Sequence, residues 1–248
     1  MSQLRKYQFQ AVSQLRGGIR SGSTRQVLCL PTGAGKTRIF SYIAERHINK
    51  GGKVAIFTHR VELLKQAQRD FTTQPELIES KTKAINPDHS LHICMTETVH
   101  RRMGKPEFVE WLETRTLIVI DEAHLAIFDK LFEFIPNNCV VIGATATPYR
   151  KGKAATGLDE FYSNLVQTVD TPELIEAGFL CDAVTYATPI DLKGAKLTAG
   201  VYDTSQIFET NRTCEGVVQN YRRLTDGKKA LLFASNVESS KRVCAEFV

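Results

Sequence analysis

The sequence predicts an α/β fold in which a parallel sheet is flanked by helices. Short runs rich in Val and Ile alternate along the first part of the chain with longer segments of helical period. Each run is bounded by polar residues or glycine, which is typical of strands buried on both faces. This alternation favours parallel strands joined by crossover helices. The predicted strands are Val27–Leu30, Val54–Phe57, Leu91–Met95, Leu117–Ile120 and Val140–Ile142.

Four segments of this part carry the helical pattern. The first, from about Leu4 to Arg20, is amphipathic and ends beside a glycine pair. Lys36–Asn49 and Val61–Phe71 lie between predicted strands. Pro106–Glu113 is the fourth, because proline is accepted at the first position of a helix.

The pattern divides the chain into two predicted domains, residues 1–182 and 183–248. A short helix with a glycine cap, Thr171–Gly178, precedes the boundary. Beyond it we predict a helix over roughly Ser205–Leu224, a strand at Ala230–Ala234 and a final helix. One strand cannot close a sheet, so we expect the second domain to be incomplete, with Val248 a boundary and not a natural end.

The composition argues against a membrane-spanning or secreted protein. No window approaches the roughly 20 apolar residues that cross a bilayer, and the first ten residues lack the apolar centre of a secretory signal. The six cysteines are scattered, with no CxxC pair, so we expect reduced thiols and a cytoplasmic protein. A net charge of +5 is a mild indication of an anionic partner.

A glycine-rich loop joins the first predicted strand to the helix that begins at Lys36. The motif that spans this loop and the start of the helix is Pro31-Thr32-Gly33-Ala34-Gly35-Lys36-Thr37. Glycines let backbone N–H groups converge on phosphate oxygens, and a helix N-terminus adds partial positive charge. We expect Lys36 to reach the β- and γ-phosphates of ATP and Thr37 to ligate Mg²⁺. Leu30 stands where the general pattern has glycine; a plain glycine loop with a surface lysine is the weaker alternative.

Two acidic residues follow the predicted strand Leu117–Ile120. They belong to the run Asp121-Glu122-Ala123-His124, at the carboxyl end of that strand, where open α/β sheets bind ligands. We expect Asp121 to hold Mg²⁺ and Glu122 to orient and deprotonate the attacking water. His124 is expected to join this motif to its neighbours. Taken alone, such a pair is more often a helix cap, and the phosphate loop upstream favours catalysis.

A third element, Gly143-Ala144-Thr145-Ala146-Thr147-Pro148, follows another predicted strand. Its small hydroxyl residues Thr145 and Thr147 are expected to contact the acidic motif and to respond to the γ-phosphate. By itself this segment is an ordinary turn.

Together, in this order, these motifs resemble a superfamily 2 helicase of the DEAH type. The resemblance implies a RecA-like P-loop NTPase domain followed by the start of a second RecA-like domain, a Mg-ATP cofactor, and movement along or separation of nucleic-acid strands. Leu4-Arg5-Lys6-Tyr7-Gln8 resembles the glutamine motif, which implies that Gln8 bonds adenine with Tyr7 or Arg5 nearby. Residues 232–237 resemble motif IV of the second domain.

The resemblance also implies contacts with the nucleic-acid backbone. Thr58, His59 and Arg60 match the first strand-end contact of the family, and the run Met95-Thr96-Glu97-Thr98 matches the second. Further basic residues at strand ends or in loops are Arg101, Arg102, Arg150, Lys151 and Lys153. We expect sequence-neutral, salt-sensitive binding.

The motifs favour DNA over RNA as the polymer, because the pairing of the N-terminal motif with Glu173–Leu180 and Asp191–Val201 resembles bacterial and phage DNA-repair members. The family's motifs V and VI are missing from the sequence. Motif VI supplies arginines that cross to the γ-phosphate, and such an arginine is worth about 10³–10⁵ in rate. We therefore expect weak turnover unless a partner or a further domain supplies one; Arg150 is more simply a solvated charge.

Three alternatives stay open. The chain could be a nucleotide-gated nucleic-acid-binding module without motor activity, or a translocase subunit of a restriction or repair complex. A small-molecule kinase with a phosphate loop is the third, and the acidic and Thr-Ala-Thr motifs argue against it.

Overall fold

The computed structural model describes residues 3–59, 71–149, 157–186, 196–198, 201–203, 211–225, 227–234 and 236–247. By its contacts the chain divides into two compact units, Met1–Ala183 and Val184–Val248. The assignment of these units to two motor domains stays a prediction. Among the described residues, no helix combines the length and the apolar character that crossing a membrane requires.

The first unit is built on a seven-stranded sheet whose strands are all parallel, as predicted. In space the strands lie in the order β3-β4-β2-β5-β6-β1-β7. Their bounds are β1 Arg25–Cys29, β2 Val54–Thr58, β3 Glu76–Ile78, β4 Leu91–Met95, β5 Leu117–Asp121, β6 Val140–Thr145 and β7 Asn164–Val166. All loops that leave the carboxyl ends of these strands therefore meet at one edge of the sheet.

Helices cover both faces of this sheet. Their bounds are α1 Lys6–Arg20, α2 Lys36–Ile48, α3 Thr96–Arg102, α4 Pro106–Glu113, a 3-10 helix Ala126–Glu133 and α5 Thr171–Glu176. Alternate residues of one strand enter different cores: Val54 and Ile56 pack with α1 and α2, whereas Ala55 and Phe57 pack with α3, α4 and the 3-10 helix. Burial on both faces explains why the strands are continuous apolar runs.

Several elements were not predicted. β3 and β7 are three-residue edge strands with only one fully buried residue each, so they carry little apolar signal. α3 begins directly at Thr96, where we expected a strand-end loop. The predicted helix Val61–Phe71 lies outside the described residues, apart from Phe71 itself.

The second unit contains an antiparallel hairpin and two helices. The hairpin pairs β8, Lys196–Thr198, with β9, Val201–Asp203, and the helices are α6 Asn211–Thr225 and α7 Val237–Glu246. The prediction of a strand at Ala230–Ala234 is wrong: this segment has no regular structure, and Phe233 is 89% exposed. An isolated strand has no neighbour to accept its backbone hydrogen bonds, so an apolar run alone does not suffice.

A buried polar network lies at the amino end of the sheet, opposite the motif loops. The Arg115 guanidinium, 1% exposed, donates to the carbonyl oxygens of Pro87 and His89 at 2.5 and 2.9 Å and to His92 Nδ1 at 3.0 Å. Because His92 Nδ1 accepts, the neutral ring carries its proton on Nε2, 3.7 Å from Glu76 Oε2. Burial, aided by the Arg115 charge, lowers the pKa of His92 to about 3, so the ring is neutral at pH 7.

Replacing Arg115 by Met is expected to lower the free energy of unfolding by about 2–4 kcal/mol, because two carbonyl oxygens lose their charged donor. Arg101→Met, at an exposed position of α3, is the control and should change stability by less than about 0.5 kcal/mol. Urea unfolding of the two variants measures the difference. Equal midpoints would contradict a structural role for Arg115.

Candidate nucleotide and coupling site

The glycine-rich loop has the backbone of an anion cradle. Gly33 and Gly35 adopt φ of +85° and +79°, a left-handed region that favours glycine. Gly35 is the N-cap of α2, and since it has no side chain its cap makes no side-chain hydrogen bond. A Cβ added at Gly33 would lie 2.8 Å from Leu180 Cδ2, and one at Gly35 would lie 2.6 Å from Gln8 Nε2. The positive φ values therefore favour glycine at both positions, and the two neighbouring side-chain ends would have to move if either glycine were replaced.

Lys36 lies folded over the loop that it follows. Its Nζ donates to the carbonyl oxygens of Leu30, at 3.0 Å, and Pro31, at 3.4 Å. Leu30, where the general pattern has glycine, is fully buried in the core on the α1 and α2 face. The departure from the pattern therefore fills the core, and the main-chain carbonyl of Leu30 still serves the lysine.

The glutamine motif contacts the phosphate loop through a single carbonyl group. Gln8 Nε2 and the Tyr7 hydroxyl both donate to the Ala34 oxygen, at 3.0 and 2.8 Å. Gln8 Oε1 accepts from the Arg5 backbone N–H at 3.0 Å, and Arg5 NH1 lies 3.3 Å from the Tyr7 hydroxyl. The motif thus fixes the loop from the side of α1, a role that the spacing of the residues did not predict.

The acidic motif begins in the sheet and ends in a strained turn. Asp121, the last residue of β5, is 7% exposed, and one of its oxygens accepts from the Thr58 hydroxyl at 3.4 Å. Asp121 and Thr37 line the same small cavity, although they come from different loops. Glu122 has φ of +52°, the one non-glycine residue with positive φ among those described. Such a conformation costs about 1–3 kcal/mol and is found chiefly at functional sites.

A hydrogen-bonded chain joins the acidic motif to the Thr-Ala-Thr motif. His124 Nδ1 lies 2.9 Å from Thr145 Oγ1 and 3.6 Å from Glu122 Oε2. The Thr145 backbone oxygen accepts from Leu30 N, at the base of the phosphate loop, at 3.1 Å. One threonine therefore contacts both of the other motifs.

The partners of Thr145 also determine the state of the histidine. Its hydroxyl lies 2.8 Å from the Thr147 carbonyl oxygen, which can only accept, and 3.0 Å from the Thr147 N–H, which can only donate. The single hydroxyl proton is thereby used. His124 Nδ1 must therefore carry a proton and donate it to Thr145 Oγ1. Glu122 Oε2 lies 3.6 Å from the same nitrogen, beyond hydrogen-bond distance.

These residues fit a nucleoside triphosphate with Mg²⁺. The positive-φ glycines and the N-terminus of α2 suit phosphate oxygens, and Lys36 is the first residue of that helix. Thr37 and Asp121 offer the hydroxyl and carboxylate oxygens that Mg²⁺ prefers. When bound, the ion neutralises phosphate charge. Glu122 is the carboxylate beside this set that can accept a proton from water, and His124 restrains it.

The predicted nucleic-acid contacts are less uniform. Thr58 and Thr96 are 1% and 2% exposed, so their side chains face the interior, and Thr58 serves Asp121 instead. His59 is half-buried at the end of β2. Arg102 donates to the Thr82 carbonyl oxygen, which gives it a structural contact. Arg60, Arg150, Lys151 and Lys153 lie outside the described residues.

Sequence reasoning missed a segment beside the phosphate loop. Phe179 and Leu180 follow α5, and Leu180 packs against Gly33 while Phe179 lies beside Arg5 and Tyr7. The signal was Gly178, which ends the helix and has φ of +70°. A helix cap predicts that the chain changes direction, but it does not predict which part of the protein the following residues contact.

A family model described as "Type III restriction enzyme, res subunit" matches residues 1–150. A "51.5 kDa protein" of Lactococcus phage (isolate 7-9) is 29% identical over 226 residues, which cover 88% of this chain and 45% of the phage protein. "ATP-dependent RNA helicase DHX58" of Mus musculus is 28% identical over 193 residues, 66% of this chain and 27% of the mouse protein. The chain thus spans less than half of each of these relatives.

The fold is similar to that of a solved restriction enzyme. The structure is described as a nuclease-deletion mutant of the Type ISP restriction-modification enzyme LlaGI in complex with a DNA substrate mimic. The superposition has a TM-score of 0.52 at 16% identity and covers 98% of this chain and 26% of the other. At this identity the likeness concerns the fold alone.

Proposed function

Because the chain belongs to the family described as Type III restriction enzyme, res subunit, and is a superfamily 2 helicase with a RecA-like fold, we propose that it hydrolyses Mg-ATP to drive movement along a nucleic-acid strand. One observation carries the proposal: the contacts from Glu122 through His124 and Thr145 to Leu30 join the three motifs. A site that only binds nucleotide has no need of such a connection.

Glu122 is the proposed general base for hydrolysis. Its carboxylate accepts a proton from the water that attacks the γ-phosphate. His124 Nδ1, 3.6 Å from Glu122 Oε2, is close enough to restrict where the carboxylate lies. Lys36 binds the β- and γ-phosphates, exchanging its contacts with Leu30 and Pro31 for phosphate oxygens. Thr37 and Asp121 hold Mg²⁺.

Loss of the γ-phosphate is transmitted through Thr145. Its hydroxyl receives a hydrogen bond from His124 and its carbonyl receives one from Leu30, so a shift at either motif must change the turn that ends at Thr147. That turn leaves the carboxyl edge of the sheet, where nucleic-acid contacts are proposed. We propose the DEAH subtype because residues 121–124 are Asp, Glu, Ala and His.

We favour DNA as the polymer, on the resemblance to bacterial and phage DNA-repair members, and the phage relative supports such a source. The mouse relative is named an RNA helicase, so RNA is the competing outcome. The family description favours a second candidate, a translocase subunit of a restriction complex. In that case the chain should gain activity when a partner supplies an arginine to the γ-phosphate.

The proposal is tested by measuring ATP turnover under three conditions: the chain alone, the chain with single-stranded DNA, and the chain with single-stranded RNA. We expect DNA to raise turnover, and the increase to fall steeply as salt is raised because phosphate contacts release counterions. Lys36→Ala, measured in parallel, corrects for contaminating ATPases. An increase with RNA alone would overturn the DNA preference. Tight Mg-ATP binding with no response to either polymer would favour a nucleotide-gated binding module.

A further inference from the structure

Phe179 is an exposed aromatic residue that the chain holds in a fixed place. It follows α5 in a complete Schellman turn: Gly178 N donates to the Ile175 oxygen at 2.9 Å, and Phe179 N donates to the Leu174 oxygen at 2.8 Å. Leu174 is fully buried, so the turn is anchored in the core. The ring is nevertheless 42% exposed.

The Phe179 ring lies against the glutamine motif. The Arg5 Cζ is 3.9 Å from the ring centroid, and the Tyr7 ring lies 6.0 Å away at 54°. A guanidinium group is planar and stacks on aromatic faces, which the first distance indicates. Arg5 is itself exposed, so only one face of its guanidinium group is covered by Phe179.

This arrangement is connected to the phosphate loop at Ala34. Arg5 NH1 lies 3.3 Å from the Tyr7 hydroxyl, which donates to the Ala34 oxygen at 2.8 Å. Gln8 donates to the same oxygen at 3.0 Å, and its amide is a planar group of the kind that can pair with a base edge. Three polar side chains and one aromatic ring therefore converge beside the loop.

A triphosphate bound as proposed would direct its base to this side. Thr37 and Asp121 line one cavity with mostly apolar neighbours, and they are the residues proposed to hold Mg²⁺ beside the γ-phosphate. The nucleoside would then lie toward the opposite end of the loop, where Ala34 is bonded to Tyr7 and Gln8. The exposed Arg5 guanidinium offers a planar surface there.

We propose that Phe179 is a positioning residue for the nucleobase: it holds the Arg5 guanidinium flat on one side so that the base stacks on the other. This inference rests on the proposed function. Phe179 acts through Arg5 and touches neither the phosphates nor the metal. It should therefore affect the affinity for the base and sugar and leave the affinity for phosphate unchanged.

The test compares two ligands by calorimetry, Mg-ATP and Mg-tripolyphosphate, which has no base. Phe179→Leu keeps an apolar side chain and removes the aromatic face. We expect it to weaken Mg-ATP binding by roughly 3- to 10-fold, as the loss of a cation–π contact predicts, without changing tripolyphosphate binding. Phe179→Tyr should restore Mg-ATP binding. Phe9→Leu, at an exposed aromatic residue of α1, is the matched control.

A double-variant cycle separates positioning from general damage. Arg5→Met should reduce the ratio of ATP to tripolyphosphate affinity as well, and adding Phe179→Leu should have no further effect. Unchanged Mg-ATP affinity in Phe179→Leu would overturn the inference. So would an equal loss of affinity for Mg-ATP and for Mg-tripolyphosphate, because that result would point to displacement of Leu180 from Gly33. If the unaltered chain binds neither ligand, the proposed function itself fails.

Discussion

Glu122→Gln is expected to bind Mg-ATP within about two- to threefold of the unaltered chain and to lose turnover by about 10²–10⁴-fold. The amide keeps the size of the side chain and its place beside His124, whose Nδ1 lies 3.6 Å from Glu122 Oε2, but it cannot act as a base toward water. Nucleotide affinity and steady-state phosphate release measure the two effects separately.

The control for this variant is Glu110→Gln, an exposed glutamate of α4 that should change neither quantity. Turnover that persists in Glu122→Gln would show that another group activates water. Loss of Mg-ATP binding would instead assign Glu122 a binding role, since the positive φ of this residue makes the turn sensitive to its surroundings.

Lys36→Ala is expected to impair nucleotide binding, the step that precedes hydrolysis. Removing a charged donor to phosphate should weaken Mg-ATP binding by roughly 10- to 100-fold. Turnover should fall by about a further 10²–10³-fold, because the charge that develops on the phosphate loses its stabilisation. Titration with a fluorescent ATP analogue and the same phosphate assay give the two numbers.

The matched control is Lys50→Ala, an exposed lysine just beyond the other end of α2. Thermal unfolding of Lys36→Ala shows whether the variant is still folded. This check is needed because Lys36 also donates to the Leu30 and Pro31 carbonyl oxygens. A folded Lys36→Ala chain with normal Mg-ATP affinity would refute the phosphate loop. The two variants together separate binding from chemistry.

Much of the central fold could be predicted because a strand buried on both faces has a strong signal. β2, β4 and β5 are apolar at almost every position, and α4, between β4 and β5, begins at a proline. The edge strands β3 and β7 are too short and too exposed for such a signal. At Ala230–Ala234 the error is the opposite one: a strand was predicted where none forms. An apolar run does not form a strand unless a neighbouring strand pairs with it.

The candidate site was predictable where chemistry demands particular residue types at fixed spacing. The order of the loop at Lys36, the acids at Asp121 and the hydroxyls at Thr145 was sufficient to expect that they meet, and the structure brings them together. Contacts with main-chain groups were not predictable, because any residue supplies a carbonyl; the Ala34 oxygen is the example. The burial of Thr58 likewise depends on its partner Asp121, which its own segment does not reveal.

The strand order has a geometric consequence for the substrate. β6 lies between β1 and β5, so the strand that precedes the phosphate loop and the strand that ends in Asp121 are next-nearest neighbours. Adjacent strands are about 4.8 Å apart, which separates the two by roughly 10 Å. β6 thus sets a fixed distance between the two loops, which is wide enough for the phosphate group, metal and water that we propose to bind there. Thr145 is the last residue of β6, so it lies between the two loops whose separation its strand determines.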